Sequence, residues 1–215
     1  MLTNNLSTPS VLHNGYSVAV TIEGIAPILQ HAYNPALLDK QNEGAKKKTG
    51  KVDYKFEWLE TMHVTHIDGH DYICQPAKHI EGTMRRAAVN FTITGKGKKT
   101  FKDAILGYCY VSPDDIPHVR DGEWVPAPDK TLLDNPVNGL SVDIRRVVVN
   151  RGAIARARLM IDPGWILNFQ IDIIDIQLPP DALLNILQEA GRAYGIGDHH
   201  PRFGRFQVKA FEVNS

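Results

Sequence analysis

Tyr194-Gly195-Ile196-Gly197-Asp198-His199-His200-Pro201-Arg202-Phe203-Gly204-Arg205-Phe206 separates a helical pattern from an alternating one. On its N-terminal side, Leu183, Leu187, Ala190 and Tyr194 form one apolar helical stripe. Pro180 suits the first position of that helix, Asp181 the positive end of its dipole, and Gly195 its termination. On the C-terminal side, Phe206 to Val213 reads as a final strand. The stretch between is a glycine-rich loop. Gly195, Gly197 and Gly204 permit positive φ and close approach of another chain, so successive N–H groups can converge into an anion-binding concavity. Arg202 and Arg205 add fixed positive charge, and the natural guest is a phosphate.

Tyr16 to Ile25 alternates, with Val18, Val20 and Ile22 on one face, and reads as the first strand. Asn34 to Lys55 is a polar insertion carrying Lys46, Lys47 and Lys48. Glu57 to Ile73 reads as short strands around an Asp68-Gly69 turn. Pro76 opens a helix whose Ile80, Met84, Ala88 and Phe91 face a sheet while Arg85 and Arg86 project from its flank. After the basic turn Gly95-Lys96-Gly97-Lys98-Lys99, Ile105 to Val111 reads as a buried strand and Ser112 to Pro136 as a long excursion. Val142 to Val149 resumes the sheet. Ala155 to Ile161 and Trp165 to Ile176 read as a hairpin joined at Asp162-Pro163-Gly164. In its second strand Trp165, Leu167, Phe169, Ile171 and Ile173 share one face, opposite Asn168, Gln170 and Asp172.

Reduced to its core, this order is β-α-β-β-α-β. The expected fold is α+β: a ferredoxin-like (RRM-like) core, an antiparallel sheet with two helices on one face, and loop or hairpin insertions. The expected organisation is a flexible arm at 1–14 and one domain at 15–215, with insertions at about 34–56 and 112–140.

Lys+Arg and Asp+Glu both number 24, so the neutral chain has no general attraction to nucleic acid or membrane, and any such contact must be local. Cys74 and Cys109 lack metal-ligand or C-x-x-C spacing, and nothing resembles a secretory leader or a bilayer span. The expectation is a cytoplasmic protein away from membranes.

The core order, the segment Gln75-Pro76-Ala77-Lys78-His79-Ile80-Glu81-Gly82-Thr83-Met84-Arg85-Arg86 and the glycine-rich loop after the last helix together resemble the RAMP superfamily of CRISPR-associated RNA-binding proteins. The similarity covers about half the chain. It implies binding of single-stranded guide RNA in an antiviral ribonucleoprotein. The glycine-rich loop and first-helix arginines would lie on the RNA backbone, and the insertion after the first strand would serve as a thumb. Carried over, the implied contacts are Lys46, Lys47, Lys48, Arg85, Arg86, Gly195, Gly197, Arg202, Gly204 and Arg205. Ribonucleoprotein subunits or further copies of the chain are the implied protein partners.

Arg145, Arg146, Arg151, Arg156 and Arg158 could form a basic stripe. His63, His66 and His70 would share a helix face, but the surrounding residues favour a hairpin that scatters them, so neither a metal nor a cofactor is expected. His31, with Lys40 as a cation, is a candidate general base for cleavage through the ribose 2′-hydroxyl. Asp39 and Asp198 are carboxylates that could hold a metal against phosphate, but the sequence does not bring them together. P-loop, G-x-S-x-G and H-E-x-x-H motifs are missing, which removes support from the common hydrolase classes. The leading reading is a non-catalytic single-stranded RNA binder that could assemble along the strand. The alternatives are a metal-independent endoribonuclease using His31 and a phage or plasmid structural component.

Overall fold

Valine and isoleucine at alternate positions make β1 (Tyr16–Gly24) a strand with one buried face: Val18, Val20 and Ile22 are inside, while Ala19, Thr21 and Glu23 are half exposed. The computed structural model describes residues 15–35, 55–149, 152–174 and 177–214. The arm, Asp39, Lys40, Lys46 to Lys48 and Arg151 lie outside them. The remaining strands are β2 (Ile28–Gln30), β3 (Val64–Ile67), β4 (His70–Pro76), β5 (Cys109–Ser112), β6 (Asp115–Arg120), β7 (Glu123–Trp124), β8 (Leu140–Val149), β9 (Gly152–Ile161), β10 (Ile166–Ile173) and β11 (Phe206–Asn214). Four α-helices are described: α1 (Glu57–Thr61), α2 (Ala77–Ala87), α3 (Lys102–Tyr108) and α4 (Pro180–Glu189).

The fold is mixed α/β with antiparallel sheets. The larger sheet runs β11-β1-β10-β6-β4-β3, with β5 also on β10 and β7 on β6. β1 lies between β10 and β11, with Tyr16 opposite Ile173 and Ser17 opposite Asn214. Residues 109–120 follow β10 from Cys109 opposite Ile173 to Val119 opposite Ile166. Midway, β6 turns aside to pair with β4, placing Asp115 opposite Pro76. The smaller sheet is β2-β9-β8.

Proline begins both long helices. Pro76 is the residue before α2, and Pro180 occupies the first turn of α4. Their stripes, Ile80 and Met84 on one and Leu183, Ile186 and Leu187 on the other, share a core with Val18, Val20, Ile22, Leu167, Phe169 and Ile171. The two helices touch each other and cover one face of the larger sheet. Its opposite face is polar; there Thr21 donates to Asn168 Oδ1 at 2.8 Å.

Five local expectations are corrected. Residues 102–108 are helical because Phe101, Ala104 and Ile105 bury one helical face, so the strand begins only at Cys109. Glu57–Thr61 is a helix, not a strand, and points a buried Glu57 carboxylate at Arg156. The excursion after Ser112 contains β6 and β7, both hydrogen-bonded into the larger sheet. Finally, β9 and β10 do not pair: β9 joins β2 and β8, while β10 joins β1 and β5. Their Asp162-Pro163-Gly164 link is gripped from outside, Gly164 N–H donating to Gly24 O at 2.8 Å and Arg120 to Asp162 O at 2.8 Å. Hence β8 does not resume the main sheet but forms the edge of the second one.

His118, in β6, is fully buried edge-on to Trp165, with a ring-centroid separation of 5.9 Å and, among the described residues, no hydrogen-bond partner for either nitrogen. Burial, reinforced by His63 and Arg120, pushes its pKa down to about 3. The unfolded chain would take up that proton near the usual value of about 6.5, so this residue lowers stability as pH falls from there toward the folded value. His118→Leu removes an unpartnered polar ring at little change of shape. Urea unfolding at about pH 7 and about pH 5 should show the parent losing about 2 kcal/mol more than the variant over that interval.

Candidate nucleic-acid interface

Past Glu189 the last helix takes a π turn over Ala190–Tyr194 and ends at Gly195, φ +71, whose N–H donates to Ala190 O at 2.8 Å. The glycines that follow let chain pass chain. A Cβ on Gly204 would sit 1.7 Å from Ile196 O, and one on Gly197 2.7 Å from Leu29 O. The loop is stitched to its neighbours: Ile196 N–H donates to Gly204 O at 3.0 Å, Gly204 N–H to Pro27 O at 2.7 Å and Asp198 N–H to Leu29 O at 2.8 Å. Phe203 N–H donates to His199 O, and His199 N–H to Asp198 Oδ1. These donors are therefore engaged by the protein itself.

Positive charge at the site comes from α2. Lys78, Arg85 and Arg86 line a cleft of about 160 Å³ whose other wall is Gly195, Gly197 and His200. Arg85 and Arg86, singled out in the sequence, are thus brought beside two of the loop glycines. Arg86 makes a close contact with His200 Nε2, while His200 Nδ1 lies 3.0 Å from Gly197 O. Gly82 lies on the cleft side of the helix, four residues from both Lys78 and Arg86, and a Cβ there would meet nothing within 4 Å.

A second, polar cavity of about 120 Å³ adjoins the cleft and shares His79 and Gly197 with it. Gln30, His31, His63, Gln75 and Asp198 complete its polar lining. Gln30 is fixed by donating to Cys74 O at 2.8 Å and accepting from His63 N–H at 3.0 Å. His63 and His79 meet edge to face, with centroids 5.3 Å apart. Burial, with help from His79 and Lys78, pushes His63 down to about 4, and burial with Lys78 also depresses His79. Burial and the Arg158 guanidinium depress His31 as well. Partial burial pushes the Asp198 carboxyl up, but its bond to Arg158 at 2.5 Å outweighs this and holds it below the usual carboxylate range. Among the described residues, no group of three or more His, Cys, Asp or Glu side chains could hold a metal ion.

The proposed basic stripe is largely turned inward. Arg158 pairs with Asp198 and Arg156 with Glu57, while Arg145 binds Asp143 at 2.6 Å and lies 4.6 Å over the Phe203 ring. Arg146 is exposed. Arg202 and Arg205 are exposed and do not line the cleft, and Gly204 packs beneath the loop. Sequence reasoning assigned no contact to Lys78, His79, Gly82, Gln75 or His200. The available signal was Gly82, a mid-helix glycine without a cap to explain it.

No family model and no curated protein matches the sequence. Among solved structures, a chain from the cryo-EM structure of the Type III-B Cmr-beta bound to cognate target RNA superposes with a TM-score of 0.51 and 16% identity. The match covers 93% of this chain and 60% of that one, so this protein spans less than two thirds of its neighbour's length. A chain of a Type IV-B CRISPR complex gives a TM-score of 0.44 and 12% identity, covering 93% of this chain and 90% of the other. At 16% identity the likeness to the Type III-B chain is one of fold alone. This chain therefore has a mixed α/β fold similar to that of a chain of the Type III-B complex.

Proposed function

We propose that this protein binds single-stranded RNA by its phosphate backbone, in the cleft between α2 and the glycine-rich loop, as a subunit of a ribonucleoprotein. The observation that carries the reading is Gly82. A glycine inside a helix costs about 1 kcal/mol relative to alanine, and here no packing neighbour requires it. It leaves open helix surface between two cations, where a phosphate backbone can approach closely. The strand order β11-β1-β10-β5 supports a ferredoxin-like core within one domain of residues 15–215. The fold shared with a chain from an RNA-bound complex supports the choice of ligand. Assembly along the strand and a cytoplasmic setting belong to the same reading. Among the described residues, no helix is long and apolar enough to cross a membrane.

Three cleft cations imply a log–log salt slope of about −2 on single strands, so a fourfold rise in salt should weaken binding roughly twentyfold. Gly82→Ala should raise stability by about 0.5–1 kcal/mol. Gly82→Leu keeps the helix but fills the cleft, and should weaken RNA binding about tenfold with no loss of thermal stability. Fluorescence anisotropy and thermal unfolding measure both effects. A Gly82→Leu variant that binds like its parent would remove the cleft from the reading.

A further inference from the structure

The polar cavity beside the cleft has a chemistry different from the cleft itself. The cleft is cationic, whereas the cavity presents neutral amides and imidazoles with pKa values held down, and its one carboxylate is paired with Arg158. A phosphate gains nothing there. A nucleobase would find no aromatic stack beyond histidine edges and Leu29 as the sole aliphatic wall. A sugar hydroxyl both donates and accepts, which matches amides and neutral imidazoles.

The shared residues set the register between the two spaces. His79 and Gly197 line both, so a ligand with its anion among Lys78, Arg85 and Arg86 and a hydroxylated group one bond series away would occupy both together. That is the arrangement of a nucleotide's phosphate and ribose. Gln75 is fully buried, and its side-chain nitrogen makes a close contact with His79 Nδ1. With Gln75 donating, the ring carries its proton on Nε2 and has that N–H left to give. Among the described residues Gln75 Oε1 has no hydrogen-bond partner, an unusual state for a buried acceptor and one that a donor entering from the cavity would relieve.

We propose that this cavity is a ribose subsite in which His79, oriented by Gln75, reads the 2′-hydroxyl, so that the protein prefers RNA to DNA. This rests on the cleft holding the adjoining phosphate. The 2′-hydroxyl is the group by which a protein tells the two nucleic acids apart at a given position, and a site built to hydrogen-bond a hydroxyl rejects the analogue lacking it. His79 is the reader and Gln75 a positioning residue.

The test compares the affinities of single-stranded RNA and DNA of one sequence for the parent, His79→Ala and His79→Gln, with thermal unfolding as a control. The parent should bind RNA about tenfold tighter than DNA. His79→Ala should bring that ratio close to one, and His79→Gln, which keeps an N–H donor, should restore part of it. A parallel series of RNAs, each carrying a single 2′-O-methyl group, uses only the parent protein and should weaken binding at least threefold at one position. Equal binding of RNA and DNA by the parent would overturn the ribose subsite while leaving the cleft intact. So would a ratio unchanged in His79→Ala, or a methylation series with no sensitive position. Failure to bind either nucleic acid would instead overturn the cleft, and the subsite with it.

Discussion

Gly204→Ala should lower the free energy of unfolding by about 4 kcal/mol or more, placing it among the rare severe single substitutions. Two effects add at this position. Its φ of +70 is a backbone state that L side chains adopt at a cost of about 1 kcal/mol. The added methyl would also fall 1.7 Å from Ile196 O, an atom of the backbone that cannot swing away like a side-chain tip. Relief would mean breaking the Gly204 N–H bond to Pro27 O or the Ile196 N–H bond to Gly204 O. Gly97 provides the control, because its φ is +62 but a Cβ there meets nothing within 4 Å. Gly97→Ala should therefore cost only about 1 kcal/mol. Urea unfolding of both variants measures the difference, and near-equal losses would show that the loop relaxes easily.

Lys78→Ala, Arg85→Ala and Arg86→Ala combined should weaken RNA binding about a hundredfold or more, since three charge-assisted phosphate contacts would be lost together. The salt slope should shrink by about 2 at the same time. Arg202→Ala with Arg205→Ala should cost less than about tenfold, because both side chains lie outside the cleft and contribute only at longer range. Anisotropy titrations at two salt concentrations separate the cases. If the loop pair proved the more damaging, RNA would run over the loop's outer surface and not along α2.

Where a residue's environment is decided by its near neighbours in sequence, the chain was readable. β10 alternates over its whole length, and Leu167, Phe169, Ile171 and Ile173 are buried as that pattern demands. The α2 stripe and its proline start are equally local. Partner choice is not. Nothing in residues 152–173 says that β9 and β10 belong to different sheets, because that depends on β1 and β8 competing for them. The short apolar run at 105–111 fits either period, and burial of Phe101 and Ala104 decided it. The same limit divides the site. Arg85, Arg86, Gly195 and Gly197 were recognisable by residue type, and packing of α2 on the π turn brought them together. The polar cavity draws His31, His63, His79 and Asp198 from four separate segments, so no spacing in the sequence announces it.

The place of β1 between β10 and β11 also bears on how the protein must be made. Its two partners are the last strands of the larger sheet, and Ser17 waits for Asn214. At ~5–20 residues per second, Val18, Val20 and Ile22 leave the ribosome on the order of 10 s before the strand that pairs with theirs exists. Native pairing of the sheet's centre has to wait until β10 has been made, with all the closure entropy of a long intervening chain. Until then the nascent chain carries an apolar, unpaired strand, so its yield in a cell depends on what shields that strand in the interval.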